Sequence, residues 1–173
     1  MKSFKEFLEE EKKKSYQIYC DMDGVLVDFI EGVKIELDLK RDPNQKEIDT
    51  FLSTLAGSSK DFWSELPWMS DGKKLWDTLK DLNTEILSAC PNNCKLQPSV
   101  KIGKKMWCRE NLKISQGINI TTRKGKLRFV GEKTILIDDF RKNTKAWEAK
   151  GGIAIYHRNA RATLVELKKI LLG

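Results

Sequence analysis

Short apolar runs alternate with amphipathic segments along most of the chain. The apolar runs lie at residues 18–20, 86–87, 118–120, 135–137 and 153–156, and each has the length of a buried strand. Helical spacing of apolar positions marks residues 71–82, 97–112, 141–150 and 160–171. Strands that alternate with helices imply right-handed crossovers and a parallel sheet covered on both faces. The pattern therefore predicts an α/β fold, in which ligands bind at the carboxyl ends of the strands.

Two stretches depart from this alternation. Residues 28–70 contain two helix-like pieces and an aromatic-rich segment but no clear strand, which indicates a small helical cap inserted after the first strand. Residues 2–14 place Phe4, Phe7 and Leu8 at helical spacing, which indicates an amphipathic helix that either docks on the domain or addresses the protein to a partner. We expect an N-terminal helix or leader at residues 1–15 and one domain at residues 16–173, with the cap at about 28–70.

Composition limits the broad class of the protein. A chain of 173 residues with 40% hydrophobic and 33% charged residues suits one folded domain and excludes a disordered chain. The net charge of +7, from 32 Lys and Arg against 25 Asp and Glu, favours anionic partners such as nucleotides or nucleic acid. The basic residues are spread along the sequence, however, so a solvated basic surface explains the charge equally well.

The cysteines and the apolar segments exclude several other classes. The cysteines at positions 20, 90, 94 and 108 form no paired Cys-x-x-Cys motifs, and His157, the one histidine, is distant from them, which argues against a structural zinc site. No apolar stretch approaches the roughly 18 residues of a membrane span, and the N-terminus lacks the apolar core of a signal peptide. We expect free thiols and a reducing, cytoplasmic location, with no membrane partner.

Two acidic pairs follow predicted strands. Asp21 and Asp23 come directly after the first strand, where Gly24 permits a tight turn, and Asp138 and Asp139 follow a later strand. Taken singly, a solvated turn explains the first pair and a helix N-cap explains the second. Together they would bring like charges to one edge of the sheet, where a hard divalent cation relieves the repulsion. Because Mg²⁺ bridges a few carboxylates to a phosphate, it is the cation we expect.

Two further features could bind a phosphate. Ser88 ends another predicted strand and carries a hydroxyl that could donate a hydrogen bond to a phosphate oxygen. Residues 121–126 gather Arg123, Lys124 and Lys126 shortly before the second acidic pair, and one of them could neutralise a nucleophile and phosphoryl oxygens. A loop serine and a solvated basic loop are the alternative interpretations.

Taken in order, Asp-x-Asp-Gly-Val, a strand-end Ser, a Lys and Ile-Asp-Asp resemble the four motifs of the haloacid dehalogenase (HAD) superfamily. More narrowly, the segments 21–29, 62–67, 135–143 and 151–157, together with Trp107, look like the 5'(3')-deoxyribonucleotidases and their phage-encoded relatives. The resemblance covers about residues 16–170. It implies a HAD-like Rossmannoid three-layer sandwich with a central parallel sheet and a small helical cap inserted after the first strand.

The resemblance also implies roles for the acids. Asp21 would attack phosphorus and form an aspartyl-phosphate, while Asp23 would protonate the leaving oxygen and then activate water. Magnesium would be held by the Asp21 carboxylate, the Asp23 carbonyl and Asp138, with Asp139 as a supporting acid.

The remaining implied roles concern the substrate. Ser88 would bind phosphoryl oxygens, and Lys126, or alternatively Lys124, would hold the phosphate and the nucleophile together, with Arg123 nearby. Phe62 and Trp63 match positions where the family stacks the nucleobase, although plain packing of a cap helix explains them too. The sequence departs from the family at residues 89–91, which read Ala-Cys-Pro, and in a longer spacing from Arg123 to Asp138.

These observations favour a magnesium-dependent 5'(3')-deoxyribonucleotidase that hydrolyses nucleoside monophosphates, with a small nucleotide as its substrate. A phosphatase that acts on nucleic-acid ends is the less favoured enzyme. An inactive HAD scaffold with a binding role is the alternative from another class, and the intact acids argue against it.

Overall fold

The computed structural model describes residues 16–55, 60–90 and 97–172, so the helix predicted at residues 2–14 lies outside the described part. Five described strands form one parallel sheet in the order β3-β2-β1-β4-β5. The strands are β1 (Gln17–Cys20), β2 (Thr84–Ala89), β3 (Ile118–Thr121), β4 (Thr134–Asp138) and β5 (Ile153–Tyr156). Each predicted strand is present, and the prediction of an α/β fold with a central parallel sheet is confirmed.

Helices connect the strands. They are α1 (Phe29–Glu36), α2 (Gln45–Thr54), α3 (Lys60–Ser64), α4 (Gly72–Leu79), α5 (Gln97–Trp107), α6 (Arg123–Lys126), α7 (Arg141–Glu148) and α8 (Ala160–Leu172). The predicted helix at residues 97–112 is α5 followed by a π-helical turn, Cys108–Leu112. The short helix α6 was not predicted as a separate element.

Apolar side chains alternate between the two faces of the sheet, as the pleat requires. Ile135 and Ile137 of β4 pack into the larger core, whereas Leu136 between them packs with Leu87 and Trp147 on the opposite face. Both faces are therefore covered by helices, which accounts for the nearly continuous apolar character of the strands.

The chain reverses its direction across the sheet at β1. It runs from β1 outward to β2 and β3 and then returns to β4 on the other side of β1. Cys20 pairs with Ile137, and the Asp21 N–H donates to the Ile137 carbonyl at 2.9 Å, so the two strands end side by side. Such a switch point opens a crevice at the carboxyl ends of the strands, where ligands bind in this class of fold.

The stretch from residue 28 to 70 contains α1, α2 and α3, and its two ends lie next to one another. Val27 forms an antiparallel bridge with Trp68, the Asp28 N–H donates to the Pro67 carbonyl and the Met69 N–H donates to the Leu26 carbonyl, both at 2.8 Å. We call residues 26–28 and 67–69 the neck. The cap predicted at about residues 28–70 corresponds to this insertion, and its action as a cap stays a prediction.

Three of the cysteines, Cys20, Cys90 and Cys108, are buried free thiols, and Cys94 lies outside the described residues. Among the described helices, none is both long and apolar enough to cross a bilayer.

Candidate active site

Asp21 is the first residue after β1 and lies at the switch point, where it is 7% exposed. Its Oδ1 accepts from the Met22 N–H at 2.8 Å, and its Oδ2 lies 2.8 Å from the Lys126 ammonium. The next residues form a tight turn in which the Met22 carbonyl accepts three backbone N–H groups, from residues 25, 26 and 27. This turn fixes the carboxylate at the open edge of the sheet.

Gly24 belongs to this turn and has a φ of +76°. A Cβ at this position would collide with the Asp139 carboxylate. The glycine therefore allows the loop after β1 to approach the loop after β4, in addition to adopting a backbone conformation that other residues rarely adopt.

Asp21, Asp138 and Asp139 form an acidic group in which one carboxylate oxygen of each residue lies within 4.8 Å of one oxygen of each of the others. Desolvation and then the charge of Asp21 raise the pKa of Asp138 to about 6. Much of Asp139 is open to solvent, but its carboxyl lies against Gly24, and this desolvation, with Asp21 and Asp138, raises its pKa to about 7. Oxygen donors that repel one another fit a hard divalent cation.

The two acids after β4 differ in their surroundings. Asp138 is fully buried, and its oxygens accept hydrogen bonds from Lys126 Nζ at 2.7 Å, from the Phe140 N–H at 2.9 Å and from Asn143 Nδ2 at 2.9 and 3.1 Å. Asp139 is exposed and faces the turn that contains Gly24. The resemblance gives the metal-binding role to Asp138, but Asp139 is the acid that is more open to an added cation.

Lys126 links the two strand ends. It is 1% exposed, and its Nζ lies 2.8 Å from Asp21 Oδ2 and 2.7 Å from Asp138 Oδ2. Burial by itself would lower the pKa of Lys126, but the two carboxylates outweigh burial and raise it. Lys124 is exposed, and Arg123 lies over the Phe140 ring at 4.6 Å, so Lys126 is the cation of this helix that the structure places against Asp21.

Lys104, which the sequence analysis did not select, lies on the other side of the site. This fully buried residue of α5 donates from Nζ to Ser88 Oγ at 2.9 Å and to the Ala89 carbonyl at 3.0 Å. The same ammonium lies 2.5 Å from Asp23 Oδ2. A signal was present, because position 104 falls on the apolar stripe of α5 between Val100 and Trp107, where a lysine is unexpected.

Asp23 and Ser88 both contact the Lys104 ammonium. The Asp23 Oδ1 atom is buried and has no hydrogen-bond partner within the described residues. Desolvation raises the pKa of Asp23 in spite of the lowering effect of Lys104. A carboxyl group that keeps its proton more readily than usual suits a general acid.

The two aromatic candidates, Phe62 and Trp63, belong to helix α3. Trp63 is 1% exposed, and its ring stacks on Phe29 at 5.6 Å and lies 5.2 Å from Lys104 Nζ. Phe62 is partly exposed and makes edge contacts with Phe29, Phe51 and Trp63. The Trp63 ring is covered by protein in this structure, whereas Phe62 keeps some open surface, and base stacking by either residue stays a prediction.

Comparisons with known proteins give similarity at the level of structure alone. No family model matches the chain, and no curated protein matches it. A hydrolase from Streptococcus pneumoniae TIGR4 aligns over 91% of this chain and 99% of its own, with 13% identity and a TM-score of 0.48. A phosphonoacetaldehyde hydrolase like protein from Oleispira antarctica aligns over 80% and 71%, with 12% identity and a TM-score of 0.49.

A third similar structure is a haloacid dehalogenase-like family hydrolase from Streptococcus pneumoniae, which aligns over 89% of this chain and 91% of its own, with 15% identity and a TM-score of 0.46. Similarity this low gives no information about activity.

Proposed function

We propose that this chain belongs to the HAD superfamily and is a magnesium-dependent phosphatase in which Asp21 takes up the phosphoryl group. The observation that carries the proposal is the Asp21 carboxylate at the switch point, which contacts the Lys126 ammonium at 2.8 Å and has an oxygen within 4.8 Å of oxygens of Asp138 and Asp139. A nucleophile, a cation for phosphoryl oxygens and a cation-binding acidic group are the parts that phosphoryl transfer needs.

The acidic group fits a divalent cation, with Asp21, Asp139 and Asp138 as carboxylate donors and the Asp23 carbonyl as the additional ligand that the resemblance implies. When bound, Mg²⁺ would neutralise negative charge on the phosphoryl group that is transferred. Lys126, which contacts Asp21 and Asp138, would neutralise part of the same charge.

The proposed first half-reaction uses the two acids of the loop after β1 in the roles that the resemblance implies. An Asp21 carboxylate oxygen forms a bond to phosphorus while the bond from phosphorus to the ester oxygen breaks. The leaving oxygen takes a proton from Asp23, which gives an alcohol, an aspartyl-phosphate and an ionised Asp23. Ser88 and Lys126 hold phosphoryl oxygens during the transfer.

The second half-reaction reverses the role of Asp23. The carboxylate removes a proton from water as the water oxygen bonds to phosphorus, and the bond from phosphorus to Asp21 breaks. Inorganic phosphate leaves, and both aspartates return to their starting states.

The substrate class that we propose is a nucleoside monophosphate, with a 5'(3')-deoxyribonucleotidase activity like that of the phage-encoded relatives that the sequence resembles, acting in the cytoplasm. Support comes from the aromatic residues Phe29, Phe51 and Phe62, which meet at ring distances of 5.0 to 6.1 Å on the insertion that follows β1. A nucleobase has the flat, apolar faces that such rings contact well.

The test is release of inorganic phosphate from a panel of deoxy- and ribonucleoside monophosphates, with Mg²⁺ or with EDTA. We expect release that requires Mg²⁺, is fastest with deoxynucleotides and falls to background in Asp21→Asn, which keeps the shape of the side chain. Asp61→Asn, an exposed acid of α3, is the matched control and should retain full activity. Absence of release from every substrate would favour a binding scaffold instead.

A second candidate, a phosphatase for nucleic-acid ends, is favoured by the distribution of charge. Residues 121–126, 138–145 and 156–162 include the ends of β3, β4 and β5 and the segments that follow them, and they carry exposed basic residues. Asp138 and Asp139 are the acidic residues within these three ranges. Arg123 lies over Phe140 and Arg141 lies 4.1 Å over Tyr156, which holds two guanidinium groups at the edge where the site opens.

A basic edge attracts the additional phosphates of a nucleic acid strand, and such attraction weakens as salt is raised. Phosphate release from 5'- and 3'-phosphorylated oligonucleotides, compared with the matching mononucleotides at low and high salt, separates the candidates. Faster release from oligonucleotides, lost in Arg141→Ala or at high salt, would support the second candidate. Equal or slower release would leave the nucleotidase as the function.

A further inference from the structure

Lys104 has surroundings that packing alone does not explain. Its side chain is fully buried, yet its ammonium contacts three polar groups, on Asp23, Ser88 and Ala89, and lies 5.2 Å from the Trp63 ring centre. Removing an ammonium from water costs several kcal/mol unless charge and hydrogen bonds replace the water. A methionine or leucine would fill the same stripe of α5 without that cost, so the charge itself has a use at this place.

The three contacts come from two different strand ends. Asp23 follows β1 and Ser88 belongs to β2, so Lys104 joins the loop that carries the proposed acid to the strand that carries the proposed phosphate ligand. Lys126 makes the corresponding link between β1 and β4 on the other side of Asp21. The proposed nucleophile thus lies between two buried lysines.

Resting on the proposed function, we infer that Lys104 is a positioning residue, which holds Asp23 through Oδ2 and leaves Oδ1 as the oxygen that carries and transfers the proton. An oxygen that faces an ammonium cannot also bear a proton toward it, whereas Oδ1 has no donor against it within the described residues. The same ammonium donates to Ser88 Oγ, so the Ser88 hydroxyl proton is directed away from Lys104.

The leaving group of a substrate determines how strongly its hydrolysis depends on this proton. In the first half-reaction the proton moves from Asp23 Oδ1 to the ester oxygen as the bond from phosphorus to that oxygen breaks. An alkoxide, such as the sugar oxygen of a nucleotide, needs this proton, whereas p-nitrophenolate leaves readily without one. Loss of Lys104 should therefore slow the first kind of substrate much more than the second.

The experiment measures kcat/KM for a deoxynucleoside monophosphate and for p-nitrophenyl phosphate in the wild type, Lys104→Met and Lys105→Met. The ratio kcat/KM reports the steps up to departure of the leaving group, so later hydrolysis of the aspartyl-phosphate does not obscure the comparison. Lys105 is the exposed neighbour on the same helix and serves as the control.

For Lys104→Met we expect kcat/KM to fall about 100-fold or more with the nucleotide, the scale of general-acid catalysis, and less than about tenfold with p-nitrophenyl phosphate. Lys105→Met should match the wild type with both. An equal fall with the two substrates would overturn the inference, because it would mark Lys104 as a phosphate ligand or a structural residue. A wild type that hydrolyses neither substrate would overturn the proposed function and, with it, this inference.

Removing Lys104 alone leaves the Asp23 carboxylate without its partner, which lowers the free energy of unfolding and can prevent Lys104→Met from folding. The double variant Asp23→Asn with Lys104→Met retains neither charge, and in Asp23→Asn the Lys104 ammonium keeps its contacts with Ser88 and Ala89 and faces an amide oxygen in place of the carboxylate. If Lys104 acts through Asp23, the double variant should hydrolyse the nucleotide within about threefold of Asp23→Asn. A further fall of tenfold or more in the folded double variant would contradict the inference.

Discussion

At the scale of single residues, Gly24 has a hydrogen atom in place of a side chain, and this allows the loop after β1 to approach Asp139 closely. We predict that Gly24→Ala displaces the Asp139 carboxylate, lowers phosphatase activity by at least tenfold and weakens the response to Mg²⁺, because a Cβ would collide with that carboxylate. Activity assays over a range of Mg²⁺ concentrations measure both effects.

Gly151 provides the matched control for Gly24. It also has a positive φ, of +89°, but a Cβ there would meet no atom within 4 Å. Gly151→Ala should therefore cost about 1 kcal/mol of unfolding free energy from backbone strain and leave activity unchanged. If the two variants lose activity equally, the approach to Asp139 is not what Gly24 provides.

A second prediction concerns Asp139 and pH. Its pKa of about 7 in the folded protein lies above the value near 4 of an unfolded aspartate, so the folded state binds more protons between these pH values. Without metal, the unfolding free energy should therefore fall as pH rises from about 4 to 7, by on the order of 1 kcal/mol after solvent screening of this exposed side chain.

Urea unfolding in EDTA at pH 5 and pH 8 measures this fall, and Mg²⁺ should restore stability most at pH 8, where the carboxylates are ionised. Asp139→Asn should reduce the fall, while Asp61→Asn should retain it. A metal-free protein that gains stability between pH 5 and pH 8 would show that the carboxyl group is not perturbed in this direction.

The sequence pattern predicts the acidic residues of the site well but not its second buried lysine. Asp21 and Asp138 end apolar strands, and this local context is sufficient to bring them to one edge of a parallel sheet. Lys104 depends on the way α5 packs across β2, which brings it to Asp23 over 81 positions in sequence. That contact is a property of tertiary packing, which periodicity does not encode.

At the scale of elements, the short helix α6 positions Lys126 through its N-cap. Thr122 Oγ1 accepts from the Gly125 N–H at 2.9 Å, one residue before the lysine. We predict that Thr122→Ala costs about 1 kcal/mol of unfolding free energy and also lowers phosphatase activity several-fold, because the cap fixes the helix that carries Lys126. Urea unfolding and initial rates measure the two effects.

Another helix with a side-chain N-cap, α2, serves as the control. Asn44 Oδ1 accepts from the Glu47 N–H at 3.0 Å, and the Glu47 carboxylate accepts from the Asn44 N–H at 2.8 Å. Asn44→Ala should cost a similar free energy with no change in the rate per folded molecule with p-nitrophenyl phosphate, which has no nucleobase to contact Phe51 of α2. Similar losses of activity in both variants would mean that the cap of α6 has no particular role.

Elements with sustained periodicity are the ones that the sequence predicts. The strands at residues 118–120 and 153–156 differ from β3 and β5 by at most one residue, because apolar runs between polar segments leave little choice of boundary. Helix α6 has four residues, fewer than the span over which a helical stripe can be recognised. Its N-cap Thr122 was the available signal.

At the scale of the whole molecule, the insertion after β1 is tied to the helix that carries Lys104. Trp107 Nε1 donates to the Leu66 carbonyl at 2.8 Å, and Trp68 Nε1 donates to Asn111 Oδ1 at 3.1 Å. Both bonds run from the exit side of the insertion to α5 and its π-helical turn. The position of the insertion and the position of Lys104 are therefore set by one element.

This connection leads to a prediction about substrate size. Asn111→Ala removes the partner of Trp68 and should loosen the neck, so KM for a nucleotide should rise several-fold, because a nucleobase relies on contacts with the insertion. The kcat/KM for p-nitrophenyl phosphate, which is smaller, should change less than about twofold.

Asn119→Ala is the control. The Asn119 side chain donates to Glu85 Oε2 at 2.8 Å and to the Ile86 carbonyl at 3.1 Å, within the sheet and away from the neck. If Asn111→Ala raises KM equally for both substrates, the neck supports the catalytic edge directly; if it changes neither, the insertion contributes nothing to the choice of substrate.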